Sequence, residues 1–295
     1  MAELTSFVAR DGTILSVVRQ QPANEQSPPL ILLHGAASNH SRWWHFLAHS
    51  SAAQRHRTLC PDLRGHGDSL WRGPATVQHW CDDLNDLLDQ QELAKAVLVG
   101  HCLGANLALS FARRFPQRCA GVVLIEPMLR PALRGRLRWL SHLRPLLHLL
   151  IGMAVLANRL GIKRRHLRPV DLEKMDLDWQ ENPQPHSIEK RFGAPWHDLA
   201  VVPSAQYFSN LLQVLKPLPL DNLHCPVLAL IPRGRQMTDP LITRRTLGVI
   251  KDLQLCELEA DHWIPTRQPD AMCEAIDQWI EAHFCAATDR GASAT

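Results

Sequence analysis

No stretch of the 295-residue chain reaches the roughly 18 uninterrupted apolar residues that a membrane-spanning helix needs. The nearest approach, Leu146 to Ala157, is too short and is interrupted by His148. The first ten residues, Met1 to Arg10, lack the basic start and apolar centre of a secretory signal. Eight cysteines are scattered singly, without a CxxC pair, so neither a zinc site nor a disulfide framework is expected and no metal or cofactor is implied. A reducing, cytoplasmic setting fits that usage. Cys60, Cys81, Cys119, Cys225, Cys256, Cys273 and Cys285 read as small buried hydrophobes or exposed thiols. A formal net charge of +3 is too small to imply nucleic acid as a partner. No internal repeat is apparent. A hydrophobic share of 45% is enough for a sizeable core, and disorder is expected only in the small, polar tail 286–295.

What the chain does have is alternation. Phe7–Ala9 and Ile14–Val18 are short β-prone runs around Asp11-Gly12, a pair that a type I′ hairpin turn favours. Leu30–Leu33 is an apolar run of buried-strand length ending at His34-Gly35, and a stretch with Trp43, Trp44, Phe46 and Leu47 reads as a helix. Strands are expected at Arg57–Cys60, Ala96–Val99, Gly121–Ile125, Pro226–Ile231 and Leu253–Leu258. Helices are expected at Thr76–Leu88 with Thr76 as cap, Leu103–Phe115 closed by Pro116, Leu241–Ile250 and Met272–Phe284. Short apolar strands alternating with helices predict an α/β fold, a doubly wound and mostly parallel sheet. The alternation is suspended over 127–222, which is helical in pattern. Sheet elements flank it on both sides, so it reads as one insertion into a core formed by 1–126 and 223–285.

Gly100-His-Cys-Leu-Gly104 lies between a strand and a helix. A nucleophile on such a turn needs a strained backbone and small residues two positions to either side, which Gly100 and Gly104 supply. The turn would raise the Cys102 sulfur clear of the sheet and leave the Leu103 amide at the helix N-terminus, where it can donate to an oxyanion. Taken with Leu33-His-Gly-Ala36, Asp62-Leu-Arg-Gly-His-Gly-Asp-Ser69 and the later insertion, this motif order resembles the α/β-hydrolase superfamily over most of the chain. The resemblance implies an α/β-hydrolase fold with a helical cap and a second oxyanion amide from Ala36. Cysteine stands where serine is usual. Cysteine elbows are known in the superfamily from dienelactone hydrolases and polyhydroxyalkanoate synthases, and this chain lacks the length of a synthase. Haloalkane or epoxide chemistry would call for a carboxylate at position 102.

The superfamily order of nucleophile, acid and histidine selects His262 among sixteen histidines, since it is the only one between the last strand and the last helix. His34, His66 and His101 belong to motif loops and read as backbone organisers. Asp239 is the only carboxylate between Asn222 and Ile250 and is the expected acid; Glu126, at the end of the sixth strand, is the alternative. Asp261 reads as a loop carboxylate. The expected activity is hydrolysis of ester or thioester bonds through a Cys102–His262–Asp239 triad and a thioester acyl-enzyme. An acyltransferase with the same intermediate and a non-catalytic binding protein of this fold are the other readings. From Arg130 to Arg168 the insertion carries ten Arg or Lys residues and no Asp or Glu, around an apolar run of Leu143, Leu146, Leu147, Leu150, Met153 and Leu156. That composition fits a solvated basic face, a pocket for an anionic or hydrophobic small-molecule acyl substrate, or weak attachment to a membrane surface.

Overall fold

The computed structural model describes residues 2–163, 166–182 and 195–285. The expected tail 286–295 and two stretches of the expected insertion, 164–165 and 183–194, lie outside the described residues. Eight strands form one sheet: β1 (Glu3–Val8), β2 (Ile14–Gln20), β3 (Gln26–Leu33), β4 (His56–Pro61), β5 (Ala96–His101), β6 (Cys119–Ile125), β7 (Val227–Pro232) and β8 (Leu253–Leu258). Their spatial order is β1-β2-β4-β3-β5-β6-β7-β8. β2 runs antiparallel to both β1 and β4, and every other pairing is parallel.

The continuous apolar runs follow from burial on both faces. Side chains alternate across a strand, so Ile31 and Leu33 of β3 enter one core while Leu30 and Leu32 enter the other. The same split separates Val122 and Leu124 from Val123 and Ile125 in β6, and Ala229 and Ile231 from Leu228 and Leu230 in β7. The layer on one face includes α3 (Val77–Gln90) and α4 (Leu103–Arg114). The other includes α1 (Trp44–His49), α2 (Ser51–Arg55) and the late helix α12 (Pro269–Ile280). Thr76 and His79 close a capping box at the start of α3, which fixes where that helix begins.

The hairpin turn differs from expectation. β1 and β2 pair as far as Val8 with Ile14, leaving residues 9–13 to turn, and only Gly12 in the Asp11-Gly12 pair has a positive φ. Asp11 instead accepts a hydrogen bond from the Thr13 amide at 3.0 Å. A type I′ turn needs both central residues left-handed, so this one is of another kind. The aromatic stretch near Trp43 is likewise divided, into a short 3-10 turn at His40–Trp43 followed by α1 and α2. The Ser50 side chain caps α2 where the chain changes direction.

Between β6 and β7 the described residues form α5 (Gly135–Leu140), α6 (Arg144–Arg159), α7 (Leu172–Glu181), α8 (Pro195–Val201) and α9 (Ser204–Val214). No strand occurs there among the described residues, apart from one isolated bridge between Leu133 and Thr238. After β7 come α10 (Pro240–Leu247), then β8, then α11 (Ile264–Arg267) and α12. No helix among the described residues is long and apolar enough to cross a membrane.

Candidate active site

The turn from β5 into α4 holds Cys102 at φ 56° and ψ −114°, a conformation that a non-glycine residue adopts only under local compulsion. The flanking glycines make it possible. A Cβ on Gly100 would stand 2.3 Å from the Gly104 carbonyl oxygen, and one on Gly104 would stand 2.2 Å from the Leu33 carbonyl oxygen. Inside the turn the Cys102 amide donates to Ile125 O at 3.0 Å, and its carbonyl accepts from the Ala105 and Asn106 amides. Leu103 is the first residue of α4, so its amide belongs to the helix's unpaired N-terminal set.

Cys102 opens onto a cavity of about 390 Å³ whose walls include Ala36, Met128, Leu137, Tyr207, Leu211 and His262. A side chamber of about 30 Å³, lined by Ser38, Arg42 and His101 among others, also reaches Cys102 and His262. Burial pushes the Asp198 carboxyl, on the main cavity's wall, up to about 7. Tyr207 is pushed up to about 12, first by burial and then by Asp198.

His262 sits in the loop between β8 and α11, buried to 3% exposure. Its Nδ1 is 2.8 Å from Oε2 of Glu126, which is itself buried at the end of β6 with φ 41°. The second carboxylate oxygen, Oε1, accepts from the Thr238 hydroxyl at 2.7 Å. Burial disfavours charge on the imidazole, but Glu126 and Cys102 outweigh it and hold the His262 pKa well above the ordinary histidine value. A proton on Nδ1 directed at Glu126 leaves Nε2 as the acceptor nitrogen, on a ring that lines the same cavity as Cys102. The His101 ring lies 5.0 Å from that of His262, and its Nε2 is 3.0 Å from the His262 carbonyl oxygen.

Asp239, the expected acid, is placed elsewhere. It caps α10, accepting from the Leu241 and Ile242 amides at 3.1 and 3.3 Å, and pairs with Arg134 at 2.9 Å. Burial raises its pKa, but those amides with Arg235 and Arg134 hold it below the ordinary value. The physical cause of this placement is local: an aspartate directly before a proline at the first helical position is an N-cap, and its carboxylate is committed to helix amides. The structure therefore brings together Cys102, His262 and Glu126, with Thr238 as a residue that sequence reasoning missed. Asp198 also went unnoticed, since one aspartate in the insertion carries no local signal. Asp261 accepts from the Trp263 amide at 3.0 Å and pairs with Arg267 at 3.0 Å, as a loop carboxylate does.

The motif histidines organise backbone. His34 accepts the Leu63 amide at 3.0 Å and donates through Nδ1 to Gly35 O at 2.8 Å, and burial pushes its pKa down to about 4. His66 meets the Asn210 side chain at 2.9 Å, and burial pushes it down to about 3. Burial, then the neighbouring His262, also lowers the His101 value. Among the described residues His40, Asp62 and Asp68 come close enough to share a cation, but Asp62 already accepts the His40 and Asp68 amides and the His40 ring.

A family model described as the alpha/beta hydrolase fold matches residues 28–194, and the chain belongs to that family. It is 34% identical over 100 residues to an uncharacterized protein of Mycobacterium tuberculosis, a match taking in 34% of this chain and 29% of that one. The chain thus spans well under two thirds of that relative's length. Similarity to a lipase, LipV, of the same organism is 24% over 251 residues, covering 84% of this chain and 91% of the lipase. Among solved structures, a thermophilic esterase from Thermogutta terrifontis superposes with a TM-score of 0.67 at 21% identity, covering 96% of this chain and all of the esterase.

Proposed function

We propose that the chain is an acyl hydrolase, cleaving ester or thioester bonds through a Cys102–His262–Glu126 triad. The observation that carries this reading is the buried Glu126–His262 hydrogen bond, on an imidazole that lines the same cavity as a cysteine held on a strained strand-to-helix turn. The names of similar proteins, a lipase and an esterase, agree with it. His262 takes the Cys102 thiol proton, and the thiolate attacks the acyl carbon, forming the C–S bond. The Leu103 and Ala36 amides stabilise the tetrahedral oxyanion. As the leaving alkoxide or thiolate departs, it takes a proton from His262 and leaves a thioester on Cys102. A water molecule then gives its proton to His262 and attacks the thioester; the carboxylic acid leaves and the Cys102 thiolate returns. Glu126 keeps the imidazole in the required tautomer and stabilises it while charged. The main cavity, with more apolar than polar residues on its walls, accepts the acyl chain.

The test is a panel of p-nitrophenyl esters and acyl thioesters run on the wild-type chain and on Cys102→Ala, with intact-mass measurement after rapid quenching. Turnover of at least one substrate, with a wild-type mass increase equal to the acyl group and none in Cys102→Ala, is the expected result. Undiminished turnover by Cys102→Ala would overturn the assignment. Acyl-enzyme that forms but discharges only to an added amine or thiol would place the chain among acyltransferases.

A further inference from the structure

Among the described residues, one face of α6 is apolar and exposed. Leu146, Leu149, Met153, Leu156 and Leu160 are spaced by three and four residues in alternation, which puts them on a single stripe along the helix. Their exposures are 46, 59, 50, 57 and 68%. The opposite face is the one that packs: Leu147 is buried, and Leu150 and Ile151 lie partly buried against the main core. Trp139, just before α6, and Ile162, just after it, are exposed as well. A contiguous apolar stripe of this length on a surface helix marks a contact site.

Charge identifies what the stripe meets. Arg159 lies on the exposed side of α6, Lys163 follows it, and Arg136 and Arg138 are exposed on α5. None of the four forms an ion pair with a carboxylate among the described residues. The sequence has no Asp or Glu between 130 and 168, and α9, the helix packed on α6, has none either. A second copy of the chain would suit the stripe's spacing, but it would set two surfaces of the same sign against each other. An anionic surface suits both the stripe and its basic surroundings.

We propose that this face docks onto the surface of an anionic lipid bilayer, with α6 lying in the interface and its leucines and methionine among the acyl chains. Behind α6, α9 supplies Tyr207, Leu211 and Val214 to the cavity above Cys102, and α5 supplies Leu137 and Leu140. Docking would therefore hold the cavity wall beside the membrane and favour ester substrates that partition into lipid. That last consequence rests on the acyl-hydrolase reading; the docking itself does not.

The experiment is co-sedimentation of the full chain with vesicles of phosphatidylcholine alone and of phosphatidylcholine mixed with phosphatidylglycerol. Binding to the mixed vesicles should be stronger by about ten-fold or more, since each basic side chain at an anionic surface contributes several-fold. It should weaken as salt rises above about 0.1 M. Leu149→Ser/Met153→Ser/Leu156→Ser should lose most of the binding while keeping the wild-type melting temperature, because all three side chains are already exposed. Arg159→Glu/Lys163→Glu should reduce the preference for anionic vesicles. Absence of binding, or equal binding to both vesicle types, would overturn the proposal. So would a dimer in size-exclusion chromatography that the serine variant dissolves, which would assign the stripe to a second copy. Binding is read without turnover, so an inactive chain that binds would defeat the hydrolase reading and leave the docking intact.

Discussion

Glu126 and Asp239 are carboxylates of the same parallel-sheet half, and their surroundings set them to different tasks. Glu126 is buried with one oxygen on Thr238 and the other on His262, whereas Asp239 spends its oxygens on two helix amides and Arg134. Glu126→Gln should therefore lower kcat/KM on any active ester by up to about 10⁴-fold, as amide replacement does in a serine triad, while a thiol nucleophile softens the loss. Asp239→Ala should leave kcat/KM near wild type and cost about 0.5–2 kcal/mol of stability through the lost cap, measured by chemical denaturation. A larger activity loss in the Asp239 variant would return the acid role to that residue. A second prediction concerns proton linkage. Glu126 and Cys102 raise the folded-state pKa of His262, so the stability this adds is fully present below the unfolded value near 6.5 and fades as pH rises through the folded value. The melting deficit of Glu126→Gln should accordingly be widest below about pH 6.5 and narrow toward alkaline pH. A deficit that does not change with pH would mean that Glu126 does not stabilise the imidazolium.

Strand, turn and helix together make the elbow, and its tolerance is set by backbone atoms that have nowhere to go. Gly104 faces the Leu33 and His34 carbonyls, so Gly104→Ala forces β3 and α4 apart. The expected cost is about 1–3 kcal/mol or more, with loss of activity exceeding loss of folded protein, read by kcat on the soluble fraction. Gly152, on exposed α6, meets nothing within 4 Å and should accept alanine without loss, which makes it the control. This level of structure was largely legible in the residues. Two-sided burial writes itself as uninterrupted runs such as Leu30–Leu33 and Val227–Ile231, and the glycine spacing at 100 and 104 announces a turn that no side chain would fit. The carboxylate partner of His262 was less legible because chain order favours a carboxylate after β7, and only Asp239 is there. The competing signal was local: Asp-Pro at a helix start reads as a cap, which leaves Glu126 at the end of β6 as the available partner. The Asp11-Gly12 turn went the same way, since glycine alone took the left-handed conformation and aspartate used its side chain on Thr13. Helix ends shifted by a few residues for capping reasons, as at Leu247, where the run expected to reach Ile250 stops.

At the scale of the whole molecule, a buried ion pair fastens the described part of the segment between β6 and β7 to the core beside Cys102. Arg42, ahead of α1, meets Asp176 of α7 at 2.9 Å, with both side chains at most 3% exposed. Asp176 also accepts from the Trp44 indole and the Thr266 hydroxyl, and Arg42 donates to that same hydroxyl, so three separate parts of the chain converge on it. Such a pair adds little net stability over an apolar replacement, because desolvating two charges offsets their attraction, but breaking it from one side is costly. Arg42→Met should therefore destabilise by about 3–5 kcal/mol through the uncompensated Asp176 carboxylate, and Asp176→Leu by a similar amount through Arg42. The double variant should recover much of the loss, since neither charge is then left alone in the interior. Arg42 also lines the chamber that reaches Cys102 and His262. Restored stability should thus not restore activity fully if the fastening also sets the shape of that chamber. Denaturation midpoints and kcat/KM on the four proteins of the cycle separate the two effects. Additive single losses, with no recovery in the double variant, would show that Arg42 and Asp176 act independently and that the segment is held by apolar contacts such as those of Leu147, Leu212 and Leu215 with the main core.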